Sequence, residues 1–180
     1  FTHFMSDLIS TQSLFQARST LLQQLYARGF NIDAYNNFTL STIDHIARAN
    51  QLGMFLHKYP DKDNEEENGR HPNCDNSYSD PNERVLVVFY TSRKKNGFQP
   101  ADLARVMTDT FDMSSASAEG GYEKEDAASN ERKLGKGDTL IIVVNENRSD
   151  RIIRELSDIW EKYGYFIIIK SLASLQFNLL

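Results

Sequence analysis

The sequence predicts an α/β sandwich with an at least partly parallel sheet, and three observations lead to this fold class. Three nearly continuous apolar runs, at 85–90, 140–144 and 165–170, have the length of strands buried on both faces. Helical patterns separate the runs, and strands that are joined by helices tend to run parallel. Two further helical patterns precede the first run. We therefore expect a three-layer α/β/α arrangement around a small mixed sheet.

The chain is predicted to open with two helices and a short strand. Apolar residues recur at spacings of three and four over 11–28, and Gly29 follows in the position of a C-terminal cap. A second helix begins near Ser41, which forms a capping-box pattern with Asp44. Met54 to Lys58 is predicted as the first strand. These elements supply one helical layer and one edge of the sheet.

The rest of the chain alternates strands with helices. The predicted elements are, in order, a strand over 84–92, a helix from Pro100 to 111, a strand over 140–144, a helix over 150–163, a strand over 165–170 and a short helix over 172–180. Pro100 suits a first helical turn, Ser149 an N-cap and Gly164 a helix end. The aromatic residues that fall on apolar stripes are predicted to lie in the core: Tyr26, Phe89, Phe111, Trp160 and Tyr163.

Charge and composition bound the kinds of partner. The net charge is −5, but two polar stretches, 61–83 and 112–137, carry −6 and −2, which leaves the remaining residues at +3. The stretches are predicted to be inserted loops, and the mildly basic remainder permits a nucleic-acid partner. The single cysteine, Cys74, excludes an internal disulfide. Because no apolar run reaches membrane-span length, no membrane partner is expected.

Catalytic motifs are scarce. The stretch GKGDT at 135–139 precedes a strand, whereas a phosphate-binding P-loop follows one. His71 and Cys74 have a metal-like spacing but no second pair to complete a site. A metal nuclease would need an Asp at the end of one strand and Asp/Glu-x-Lys on the next, and only Glu146 followed by Arg148 approximates this. We therefore predict no catalytic residues, no metal and no cofactor.

Five weakly specific stretches occur in a familiar order. LFQARSTLLQQLYARGF contains Phe15 before Arg18 and ends in Arg28-Gly29-Phe30, and FTLSTI, VLVVFY, TLIIVVNENRSDRIIREL and EKYGYFIIIKSLASLQFNLL follow it. Together they resemble the N-terminal domain of subunit 5 of the multisubunit, eukaryotic-type DNA-directed RNA polymerases. The resemblance covers most of 11–180 outside the two insertions.

The resemblance implies both a fold and a role. The fold would be a single jaw domain of restriction-endonuclease-like topology without a nuclease site, followed by a C-terminal assembly domain beyond residue 180. The role would be that of a non-catalytic subunit in the lower jaw, holding downstream double-stranded DNA during transcription. Its partners would be the largest polymerase subunit and other polymerase subunits. The acidic insertion favours a large-DNA-virus or divergent protist version. The expected location is the nucleus for a cellular protein, and the virion or cytoplasmic viral factory for a viral one.

The polar loop after the second buried strand supplies the DNA-facing candidates, which are Arg148, Ser149 and Arg151. They precede or begin a helix whose unpaired N–H groups favour phosphate. The family often has Thr-Pro where this chain has Ser149 and Asp150, and the Asp150 carboxylate opposes an anion. A simple helix cap is therefore the alternative interpretation.

The first helix supplies the subunit-interface candidates, Arg18 and Arg28, for which a plain solvated face is the alternative. Two other functional classes also stay open. One is a Mg²⁺-dependent, nuclease-like α/β enzyme, and the other is an orphan protein-interaction domain without a polymerase partner.

Overall fold

The computed structural model describes residues 10–59, 83–90, 97–111, 133–145 and 149–176. The helices in these ranges are α1 (Thr11–Ala27), α2 (Leu40–Arg48), α3 (Pro100–Thr110) and α4 (Asp150–Tyr163). The strands are β1 (Met54–His57), β2 (Arg84–Tyr90), β3 (Thr139–Val144) and β4 (Phe166–Ser171), and a 3₁₀ turn spans Ala173–Leu175. This order agrees with the predicted order of elements. Most of both predicted insertions, at 61–82 and 112–132, lies outside the described residues.

The four strands form one mixed sheet in the order β1-β2-β3-β4. β1 runs antiparallel to β2, while the β2–β3 and β3–β4 pairs are parallel. Val87, Ile141 and Ile168 lie in register across the three parallel strands. A helix joins each parallel pair, and consecutive crossovers of one hand place α3 and α4 on the same face.

Two hydrophobic cores flank the sheet. One lies between the sheet and α1 with α2, and Leu21, Ile43 and Val87 are among its buried members. The other lies between the opposite face and α3 with α4, and it includes Leu103 and Ile159. The protein is therefore an α/β fold with helices on both faces of a mixed sheet, as predicted.

The three parallel strands differ in burial, although all three were predicted to be buried on both faces. Every residue of β3 is buried, because the strand has a neighbour on each side and a helical layer above and below. In β2, buried residues alternate with partly buried ones. β4 is an edge strand in which only Ile169 is buried. The prediction therefore holds for β3 alone.

The helix ends follow local chemistry. The Ser149 hydroxyl accepts a hydrogen bond from the Ile152 N–H at 3.4 Å, which confirms the predicted N-cap of α4. Gly164 ends this helix with a φ of 67°, a left-handed conformation that suits glycine. Pro100 occupies the first turn of α3, as predicted. The sequence pattern therefore locates both ends of α4 correctly.

The predicted capping box of α2 is wrong. The N-cap is Thr39, whose hydroxyl accepts from the Thr42 N–H at 3.2 Å, and the helix starts at Leu40. The Asp44 carboxylate instead accepts from the Thr11 hydroxyl at 2.9 Å and pairs with Arg48. Asp44 therefore connects α2 to α1 instead of capping its own helix.

Two aromatic residues predicted to lie in the core are exposed. Tyr26 is 38% exposed on α1, and Trp160 is 55% exposed on α4. Each belongs to a helix whose core-facing stripe is already filled, for example by Leu25 on α1 and Ile159 on α4. In the described part of the last predicted helix, over 172–176, the structure has a 3₁₀ turn at 173–175, and 177–180 lies outside the described residues.

Candidate functional site

The carboxyl edge of the parallel strands collects the starts of two helices. β2 ends at Tyr90 and β3 at Val144, and α3 and α4 each begin on the way back from this edge. The first N–H groups of a helix have no partner within the helix and carry partial positive charge. The edge is therefore the part of the fold at which an anion such as a phosphate is favoured.

The start of α3 already holds a negative charge. The buried Asp102 carboxylate accepts from the Gln99 N–H at 3.1 Å and from the Tyr90 hydroxyl at 2.7 Å. This arrangement is a capping box, with Gln99 as the N-cap residue. Because a carboxylate occupies the positive end of α3, an external anion would be repelled there. Sequence reasoning missed this contact, although Gln99-Pro100-Ala101-Asp102 has the spacing of a capping box.

The start of α4 is more open. Ser149 and Asp150 are exposed, and the Ser149 hydroxyl serves as the cap. The Arg151 side chain is also exposed and forms no ion pair within the described ranges. Ser149 and Arg151 therefore lie together at one helix start, next to the opposing carboxylate of Asp150. Arg148 and Glu146 lie outside the described residues.

The opposite, amino edge of the sheet holds a cluster of charged residues. Lys58 pairs with Glu83 at 2.7 Å, and the Arg28 guanidinium lies 3.9 Å from the same carboxylate. Beside them, the buried Asp138 carboxylate accepts from the backbone N–H of Arg84 at 3.0 Å and pairs with the Arg84 guanidinium. The paired charges tie the starts of β2 and β3 together.

Arg28 therefore lies far from the DNA-facing candidates, at the other end of the strands. Its side chain is 49% exposed, and its contact with Glu83 is long. Both an interface with a partner and a solvated face are compatible with this position. Sequence reasoning missed the cluster that surrounds Arg28, because Glu83 fell in the predicted insertion at 61–83 and Asp138 was assigned to no element.

Arg18 is buried, and the expectation of a solvated position for it is wrong. Its side chain is 3% exposed, with the guanidinium carbon 4.3 Å from the ring centre of Phe38 and 5.3 Å from that of Tyr35. Its Nη1 donates to the Tyr35 carbonyl at 3.3 Å. Burial lowers the pKa of Arg18 to about 10, against an opposing effect of Tyr35. Arg18 lies four residues after Leu14, on the apolar stripe, and this spacing could have predicted its burial.

Any role of Arg18 in subunit contact is therefore indirect. The guanidinium holds the segment between α1 and α2, where Tyr35 and Phe38 lie, and this segment is what a partner could touch. Arg18 lies on α1 and Arg28 is its C-cap residue ten positions later, and the structure does not bring them together. The two interface candidates thus belong to different surroundings.

The described residues contain neither a metal-binding cluster nor a membrane-spanning helix. No group of three or more His, Cys, Asp or Glu side chains in these ranges is arranged to hold a metal ion. His71 and Cys74 lie outside the ranges. Among the described helices, none has the length and apolar content that crossing a membrane requires.

In the part of the chain that the structure describes, the fold is an α/β/α domain with a mixed four-stranded sheet, and the start of α4 is the more open of the two helix starts at its carboxyl edge. Comparison with known proteins adds no relative, since no protein-family model and no curated protein matches the chain.

Proposed function

We propose that the chain is a non-catalytic subunit of a multisubunit DNA-directed RNA polymerase, of the subunit 5 type, and that it forms part of the lower jaw around downstream DNA. The observation that carries the proposal is the way the five resembling stretches fall on the fold. They coincide with α1 and its cap, the start of α2, strand β2, the β3–α4 unit and the α4–β4 unit. The α/β/α architecture also agrees with the fold that the resemblance implies.

The mechanism we propose is positional. Arg151 and the unpaired N–H groups at the start of α4 would contact phosphates of downstream DNA, with Ser149 able to donate its hydroxyl hydrogen. Chain order adds Arg148 to the connection between β3 and α4. It also adds three consecutive basic residues, 93–95, to the connection between β2 and α3. Because Asp150 opposes the anion, the contact would be weak, independent of base sequence and sensitive to salt.

The DNA contact is tested with the double variant Arg148→Ala/Arg151→Ala of the full-length protein and a 30-base-pair duplex. The affinity should fall, and the slope of log affinity against log salt should become shallower by about 1.8, since each phosphate contact contributes about 0.9. Lys162→Ala is the matched control, because Lys162 is exposed on the same helix at its other end. An unchanged affinity and slope in the double variant would reduce the start of α4 to a simple helix cap.

Assembly is tested by capturing the tagged full-length protein from its own host and identifying its partners by mass spectrometry. The proposal requires the largest polymerase subunit among them, in the nucleus for a cellular protein or in the virion or viral factory for a viral one. Capture without any polymerase subunit would favour an orphan interaction domain. Mg²⁺-dependent DNA cleavage that disappears in Glu146→Ala would replace the proposal with a nuclease.

A further inference from the structure

The two edges of the sheet differ in how far their outward backbone groups are hydrogen-bonded, and β1 forms the more closed edge. The Tyr35 hydroxyl donates to the Phe55 carbonyl at 3.1 Å and accepts from the Phe55 N–H at 3.0 Å. Next along the strand, the Asn31 N–H donates to the His57 carbonyl at 2.8 Å. Three of the four outward backbone groups of Phe55 and His57 are thus already hydrogen-bonded, so this edge is largely closed to another strand.

The backbone of β4 leaves the other edge open. The Leu172 N–H donates to the Val144 carbonyl at 2.6 Å, so Leu172 and the alternate residues before it direct their backbone groups toward β3. Ile167 and Ile169 consequently direct their N–H and C=O groups outward. Within the described part of the chain, none of these four groups has a hydrogen-bond partner. Exposed strand edges of this kind are usually blocked, because they can pair with another chain.

Exposed apolar side chains of α4 lie beside this open edge. Ile153 is 49% exposed and Trp160 is 55% exposed, and Trp160 packs edge-to-face on Phe166, the first residue of β4, with ring centres 5.8 Å apart. Ile153 and Trp160 are two helical turns apart, or about 10 Å, which corresponds to about three residues of a strand. Ile153 and Trp160 would therefore cover a fifth strand that added beside β4. We call Ile153, Trp160 and Phe166 together the overhang.

On the sheet face that packs against α1, the β4 edge carries a positive charge without a paired carboxylate among the described residues. The Lys170 Nζ donates to the Gln24 side-chain oxygen at 3.0 Å, and no carboxylate of the described residues pairs with it. Burial and the positive charge of Arg28 both lower the pKa of Lys170. An acidic side chain directly opposite Lys170 on a neighbouring strand would relieve this repulsion.

We propose that the β4 edge is a docking site for an extended segment of a partner protein in which apolar residues alternate with acidic ones. The apolar side chains would lie under the overhang, and an acidic one would face Lys170. A second copy of this chain fits less well, since Phe-Ile-Ile-Ile-Lys-Ser in β4 offers no acid to Lys170. The proposal stands apart from the polymerase assignment, because it specifies the chemistry of the segment and not the identity of its owner.

The test uses the full-length protein and a fluorescein-labelled, eight-residue peptide that alternates valine with glutamate. Trp160 is the only tryptophan, so its emission reports on the overhang directly. We expect saturable binding, seen as increased anisotropy of the peptide and a blue shift of Trp160. Two further peptides carry N-methyl groups on either all valine amides or all glutamate amides. Only one set can face β4, so one methylated peptide should lose binding while the other keeps it. Binding that survives both methylations would overturn strand addition.

Protein variants test the two sides of the edge. Trp160→Ala should weaken the affinity for the peptide at least about tenfold, as expected for an aromatic anchor. Leu40→Ala removes an exposed apolar side chain on α2 and should leave this affinity unchanged. Lys170→Glu should reverse the preference, from the valine–glutamate peptide to a valine–lysine peptide. An unchanged preference in that variant would overturn the acidic partner. Self-association that is lost in Trp160→Ala, without any peptide binding, would assign the edge to a second copy instead.

Discussion

The replacement of Arg18 by methionine gives the sharpest test of how the first core is held together. The guanidinium is buried between Tyr35 and Phe38, and its Nε has no hydrogen-bond partner among the described residues. No described carboxylate pairs with it either. A buried cation without a counter-ion is costly, and only the rings and one carbonyl offset that cost.

The cost of burying the Arg18 charge is nearly offset by the contacts of the guanidinium. The lowered pKa of Arg18 corresponds to roughly 3 kcal/mol against the charged form. Two cation–ring contacts return about 1–2 kcal/mol each, and the hydrogen bond to the Tyr35 carbonyl returns about 1.5 kcal/mol. Methionine removes the cost and keeps a flexible side chain against the rings. Arg18→Met should therefore change the free energy of unfolding by no more than about 1 kcal/mol, while Arg18→Ala, which leaves a void, should cost about 2–4 kcal/mol.

Urea unfolding followed by Trp160 fluorescence measures both variants. Arg48→Ala is the control, because the Arg48 side chain is 79% exposed and its pair with Asp44 lies at the surface, where its loss should be nearly neutral. A loss above about 3 kcal/mol in Arg18→Met would refute the reasoning, since it would mean that the guanidinium has a counter-charge that the rings alone do not provide.

Two further predictions concern contacts at the sheet. Asp138→Ala should lower the free energy of unfolding by about 3 kcal/mol in urea titrations, because it leaves the N–H groups of Gly135 and Arg84 without their acceptor. The exposed Asp158→Ala should change the same quantity by less than about 0.5 kcal/mol, and equal losses in both would contradict the role of Asp138. Tyr35→Phe should speed hydrogen exchange at the Phe55 amide at least about tenfold in NMR measurements, because the hydroxyl is its acceptor. Unchanged exchange would show that the β1 edge does not depend on this hydroxyl.

Much of the fold could be predicted because it rests on local patterns. The alternation of apolar runs and helical stripes determined the order of elements, and Ser149 and Gly164 located the ends of α4. Burial of individual strands was less predictable, because it depends on position in the sheet. The runs in β3 and β4 look equally apolar, yet only β3 has neighbours on both sides.

The site was predicted less completely for a related reason. Ser149 and Arg151 follow a strand directly, so chain order alone places them at the carboxyl edge. Arg18 needs two rings from a later segment to make its burial tolerable. The Arg28–Glu83 and Arg84–Asp138 contacts join residues more than 50 positions apart. Such pairings depend on tertiary structure, which a single sequence does not display.

The contact between the first helix and the last turn has a consequence for how the chain acquires its structure. The Gln176 side-chain amide donates to the Ser13 carbonyl at 3.1 Å across 163 positions, and Leu172 and Leu175 complete the core under α1. During synthesis, α1 leaves the ribosome long before these partners exist. The part of its apolar face that Leu172 and Leu175 cover must wait until residues near 176 are translated, so this core is completed late. Until then, those apolar positions of α1 stay exposed on the growing chain.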